Sequence, residues 1–69
     1  MQTNNYDKRN DVLHVFLGSQ KNSSSEEEEK NIYVTRNDET NEIVGFTILD
    51  YRKNGDKVKT MYPQYNFST

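Results

Sequence analysis

The side chains able to do chemistry are few. His14 is the single histidine, and the chain has no cysteine. A catalytic or metal-binding imidazole needs partners that orient it, so His14 reads as a partly exposed strand residue. Asp7, Asp11 and Asp50 are the carboxylates that could converge if the segments bearing them are neighbours. Converging carboxylates bind a divalent cation or perform acid–base work. Singly, each closes a turn or ends a strand, the commoner use of Asp and the reading favoured here. Asp38-Glu39-Thr40-Asn41-Glu42 alternates oxygen ligands but lacks the length and glycine of a calcium loop. Ser23-Ser24-Ser25-Glu26-Glu27-Glu28-Glu29 resembles an acidophilic phosphorylation site. Its plainer reading is a solvated acidic segment able to steer a basic partner.

Five tyrosines and three phenylalanines remain. Phe16, Tyr33, Tyr51 and Tyr62 are the candidate partner-binding residues, expected on the sheet face opposite Leu13, Val15 and Leu17. Exposed aromatics can stack single-stranded bases, but that mode needs surrounding Lys and Arg. Net charge is -2 and the nine basic residues are scattered, which argues against nucleic acid. Aromatic anchors of a protein interface are the better functional reading. The competing structural reading is a second small core closed by the C-terminal tail.

Composition bounds what can hold these residues in place. Sixty-nine residues make one domain with a single thin core. Only 30% are apolar and mean hydropathy is -1.16, near the boundary with disorder. Clustering of the apolar residues into short runs rescues the chain. The monomer is expected to be marginal, and homodimerisation is a natural remedy. Absence of cysteine suits a reducing cytoplasm, and the polar N-terminus has no signal-peptide core. No run is long enough for a membrane helix, and no cofactor or metal is expected.

The expected elements are strands. Glu42–Tyr51 is the most apolar run, rich in β-branched and aromatic residues, and reads as a central strand. Val44, Phe46 and Ile48 share one face; Ile43, Thr47 and Leu49 share the other, so both faces should be partly covered. Gly45 marks a bulge or lets an aromatic lie across the backbone. Val12–Leu17 and Asn31–Arg36 alternate as two more strands, with Leu13, Val15, Leu17, Ile32 and Val34 inward. Asp7–Asp11 and Asn37–Asn41 are turns, Asn41 being the candidate for left-handed geometry. Residues 18–30 are expected to be an acidic mobile loop, because four adjacent like charges keep a segment hydrated. Asn54-Gly55 is a strong hairpin signal, so a charged edge strand is expected at residues 57–62. Residues 63–69 either fold back over the second face or fray.

Taken in order, these elements resemble the domain of unknown function 2283 family of small bacterial and phage proteins. The matching residues are Tyr6-Asp7, then Asp11-Val12-Leu13 with Val15 and Leu17, then Glu28 or Glu29 before Ile32 and Val34. The Ile43-Val44-Gly45-Phe46-Thr47-Ile48-Leu49-Asp50 block closes the pattern and is its most specific part. The likeness runs from about residue 6 to 51. Asn41 stands where the family usually has Gly, and the acidic insertion is longer. The resemblance implies an antiparallel, mostly β fold and brings no established activity. Some members resemble the small partner in toxin–antitoxin-style gene pairs, which implies protein binding.

The expectation is therefore a mostly β protein: a small antiparallel meander of four to five strands with little or no helix. Its expected role is non-enzymatic, binding itself or another protein through a sheet face or edge. The alternative is a small metal- or carboxylate-dependent enzyme using Asp7, Asp11 and Asp50.

Overall fold

A computed structural model describes residues 2–69. Among them the chain forms five strands and one helix: β1 (Thr3–Asp7), β2 (Val12–Phe16), β3 (Ser23–Glu29), β4 (Ile32–Asn37), β5 (Ile43–Ile48) and α1 (Tyr51–Met61). The strands make a single sheet in the order β1-β2-β5-β4-β3, antiparallel at every pairing. The fold is thus mostly β, and the apolar run around Gly45 lies at its centre. β5 takes β2 on one side and β4 on the other, each with its apolar residues in register. Leu13 lies opposite Ile48 and Val15 opposite Phe46; Ile32 and Val34 meet the same two residues from β4.

That register collects Leu13, Val15, Ile32, Val34, Phe46 and Ile48 on one face, each at most 2% exposed. Val58 of α1 and Phe67 of the tail complete the core. Burying such side chains is worth ~2 kcal/mol apiece, and a sheet with one dry face needs a cover. Here the cover is α1 together with residues 62–69. Phe46 is ringed by Tyr62, Tyr65 and Phe67, with ring centroids 5.1, 5.2 and 4.9 Å away. The tail therefore folds back, as one of the two readings had it, but onto the face that carries the core and not onto the second face.

Two elements differ from the sequence expectation. Residues 51–61 are helical where a hairpin and an edge strand were expected. Tyr51, Gly55, Val58 and Met61 recur at helical spacing and form the stripe that meets the sheet. Gly55 is not a turn residue: an added Cβ would lie 3.2 Å from the Tyr51 ring, so glycine makes room for that ring. Asn54 likewise spends its side chain on the carbonyls of Leu49 and Asp50, 3.0 Å each, at the start of the helix.

The second difference is β3, which occupies most of the stretch expected to be a mobile loop. Alternation along a strand sends neighbouring glutamates to different sides. A bulge between Glu27 and Glu29 breaks the register. Each of the last three carboxylates then finds its own partner. Glu27 accepts the Asn31 N–H at 2.9 Å, Glu28 meets Arg36 at 3.5 Å, and Glu29 meets Lys57 of α1 at 3.2 Å. A charged strand belongs at a sheet edge, where it repels other strands, and β3 is an edge.

One device recurs at the connections. Asp11, Asn22, Asn31, Asn41 and Asp50 adopt φ between 51° and 69°, while no glycine has positive φ among the described residues. Asn and Asp tolerate this left-handed geometry better than other side chains. Asn41 confirms the expected position. The turn before it is closed by Asn37 Oδ1, which accepts the Glu39 and Thr40 N–H groups at 2.8 and 2.9 Å.

Candidate interaction surface

Asp7 and Asp11 spend their carboxylates on turn and cap hydrogen bonds, whereas Asp50 acts through its backbone carbonyl and its carboxylate lies 4.0 Å from the Lys53 ammonium. Asp7 Oδ1 accepts the backbone N–H groups of Arg9 and Asn10 at 3.0 and 3.1 Å, closing the β1–β2 turn. Asp50 enters α1 with left-handed geometry, and its carbonyl accepts from the Lys53 and Asn54 N–H groups. Asp11 joins the hairpin to the helix. Its Oδ1 accepts the Tyr6 hydroxyl at 2.6 Å, its Oδ2 accepts the Arg52 N–H at 3.1 Å, and its carbonyl accepts the Tyr51 N–H at 3.0 Å. Among the described residues no group of three or more His, Asp or Glu side chains is arranged to hold a metal ion. The site residues of the enzyme alternative are therefore turn and cap residues.

This clamp has a pH signature. The hydrogen bond from Tyr6 holds the Asp11 carboxyl below its ordinary value, and the same bond, with burial, raises the Tyr6 phenol above its own. A depressed Asp contributes stability that is present above its unfolded value near ~3.9 and fades as pH falls through the lower folded value. A raised Tyr contributes below ~10 and fades as pH rises through its folded value. Tyr6→Phe should therefore flatten both limbs of the stability-versus-pH profile, read by urea unfolding between pH 2 and 5 and above pH 10. A Tyr6→Phe profile that overlays the unmodified one would show that the clamp carries no linkage. Asp7 is also depressed, chiefly by its hydrogen bond from Asn10, so its share of the acid limb should survive the substitution.

With the core covered by α1 and the tail, the other face of the sheet is the broad one left open. The register gives it two cross-strand rows. The first runs Asn5, His14, Thr47, Tyr33, Glu27; the second runs Thr3, Phe16, Gly45, Thr35, Ser25. Val12, opposite Asp7, extends it at one end. Phe16 is 39% exposed, a large apolar ring left in water. The His14 ring lies nearly parallel to it, centroids 6.2 Å apart and planes 11° apart. Val12, His14, Thr47 and Tyr33 are half-buried beside them. His14 thus sits beside an aromatic ring on an outward strand face, without a ligand set.

Gly45 shapes the middle of this face. The expected bulge is present, since the β4–β5 register shifts between Thr35 and Arg36. What lies across Gly45 is not an aromatic ring but Gln20. The Gln20 amide donates to the carbonyls of Gly18 and Val44 at 2.9 and 2.8 Å. Beside it Thr35 is buried and shares a 2.6 Å hydrogen bond with Ser25.

Of the four aromatic candidates, Phe16 and Tyr33 lie on this uncovered face. Tyr51 and Tyr62 do not: both belong to the cover on the core side. Tyr51 leans on Tyr6, ring centroids 5.7 Å apart, and its hydroxyl donates to the Phe67 carbonyl. Tyr62 packs on Phe46, and its phenol is raised, first by burial and then by the charge of Glu28. The helical stripe starting at Tyr51 was the signal that could have placed them, and the Asn-Gly pair masked it. An open cleft of about 260 Å³ lies beside β3, lined in part by Ser24, Glu26, Val34 and Arg36. Arg36 is already engaged there by the Asn41 carbonyl and Glu28.

No helix among the described residues is long and apolar enough to cross a membrane. No significant match to the chain is found among curated proteins or among solved structures. A family profile does match, over residues 5–52. That span holds all of the sheet from Asn5 onward, the Asp11 clamp and the entry to α1. By this match over well more than half its length, the chain belongs to the family described as Protein of unknown function (DUF2283).

Proposed function

We propose that the protein is an interaction module that performs no chemistry of its own and binds a polypeptide through the uncovered face of its sheet. One observation carries this reading. The chain spends its helix and tail covering one face and leaves Phe16, stacked with His14, on the other together with Val12 and Tyr33. Aromatic anchors in a neutral setting with a polar rim suit a protein interface. Docking along the β3 edge is disfavoured, because that strand presents glutamates. Nucleic acid is disfavoured too: no Lys or Arg occupies a strand position on this face among the described residues. The absence of cysteine fits a cytoplasmic setting.

A photo-reactive phenylalanine analogue at position 16 tests the reading, with the same analogue at Asp56 on the exposed side of α1 as control. Irradiation of the native cell extract and of the purified protein should give discrete polypeptide adducts from position 16 and few from position 56. Equal labelling at both positions, or none at 16, would remove the proposal.

A further inference from the structure

The occupant of this face can be argued one step further, on the footing that the face binds a polypeptide. We infer that the uncovered faces of two copies of this chain pack against each other about a two-fold axis near Thr47. Three observations point to a second copy.

The first is charge. Besides the Tyr33 phenol, the ionisable groups at strand positions of the face are Asp7, His14 and Glu27 among the described residues. Asp7 and Glu27 belong to the two opposite edge strands, and Glu27 is occupied by the Asn31 N–H. The middle, formed by Thr47, Gly45, Phe16, Tyr33 and Thr35, carries no charge. A neutral aromatic centre is matched by an identical centre, and a two-fold arrangement uses one patch on both partners. A basic or acidic partner would find nothing in the middle to pair with.

The second is size. Five strands about 4.8 Å apart and about six residues long give a footprint of roughly 24 by 20 Å, or roughly 480 Å² before side-chain relief. A standard interface uses about 800 Å² per partner and weak, transient ones less than ~600 Å². The face therefore suits a concentration-dependent dimer and is too small to offer a second site beside it.

The third is shape. Gly45 has no side chain, and the Gln20 amide takes the space a side chain would fill, held by two carbonyls. Phe16 and Tyr33 lie on the two strands flanking β5, on either side of the small residues Thr47 and Gly45. A two-fold through the centre sets the aromatic rings of each copy into the neutral middle of the other, in the manner of two sheets packed face to face.

The chain has no cysteine, so single thiols can be introduced cleanly. Sedimentation of the purified protein over a hundredfold concentration range should show monomer giving way to dimer. Phe16→Lys should raise the dissociation constant at least tenfold with unchanged circular dichroism, whereas Lys59→Glu on α1 should leave it unchanged. A short bismaleimide should join Thr47→Cys subunits and not Lys59→Cys subunits, since α1 lies on the opposite side of the sheet. A purified protein that stays monomeric throughout overturns the inference, as does a dimer that Thr47→Cys does not cross-link. Either result leaves the polypeptide-binding reading standing if position 16 still gives adducts to a different protein in extract. Loss of those adducts as well removes both.

Discussion

Replacing Phe67 with Ala is expected to remove most of the stability of the protein. Phe67 is 1% exposed, meets Phe46 edge-on at 4.9 Å with planes 76° apart, and is followed by only two residues. Truncating a buried Phe to Ala typically costs 3–5 kcal/mol, because transfer and cavity terms add. A domain of this size has roughly 3–10 kcal/mol in total. The loss also propagates. The Phe67 carbonyl accepts the Tyr51 hydroxyl, and the Asn66 and Ser68 carbonyls accept the Asn4 side-chain amide at 3.0 and 2.8 Å. Without the ring as an anchor these contacts close only a mobile end. Urea unfolding followed by circular dichroism should show the midpoint collapsing or the transition vanishing. A loss under about 1 kcal/mol would mean that the tail is not part of the core.

Gly45→Ala is the second large effect, on the side of β5 opposite Phe46. A Cβ there would lie 2.8 Å from the Val15 carbonyl oxygen and 3.3 Å from Gln20 Oε1. The Gln20 side chain can swing away, at the expense of its two hydrogen bonds. The Val15 carbonyl cannot, because it belongs to β2 where that strand pairs with β5. Either β2 and β5 part or the methyl group stays in close contact, and overpacking of this kind costs about 1–3 kcal/mol. We expect a value near ~3 kcal/mol, with amide exchange accelerated at the β2–β5 pairing before the rest of the sheet. A neutral or stabilising Gly45→Ala would contradict the close approach of the two strands.

These two positions also show what the sequence made legible. Wherever apolar residues alternate cleanly, as in Leu13/Val15, Ile32/Val34 and Phe46/Ile48, the strand, its inward face and its place in the sheet can be read directly. Asn41 as a left-handed turn residue was legible for the same local reason. β3 was not, because no apolar alternation marks it. It is a strand through its pairing with β4 and through the cations Arg36 and Lys57 that tertiary structure brings to Glu28 and Glu29. α1 was hidden by a local signal with two meanings. Asn54-Gly55 favours a hairpin in isolation, and only the Tyr51 ring lying over Gly55 reveals why glycine is there.

Of the candidate surface, Phe16 could be placed by strand parity alone, and so could its neighbours Val12 and His14. Tyr51 and Tyr62 could not, since their side depends on α1 and on where the chain turns after it. The aspartates were legible as turn residues, but the link from Asp11 to Tyr6 and the helix entry spans 41 residues and exists only in the folded chain.

The two sides of the sheet differ: one is dry and covered by the chain itself, the other is wet until something binds it. The three phenylalanines report both sides at once, with Phe46 and Phe67 in the core and Phe16 on the uncovered face. Fluorine-labelled phenylalanine, read with a soluble paramagnetic quencher, should give one strongly broadened resonance and two protected ones in dilute protein. The broadened one should be Phe16, and it should become protected as the face is occupied. A quenched Phe67 in the dilute protein, or a Phe16 protected at every concentration, would contradict the account.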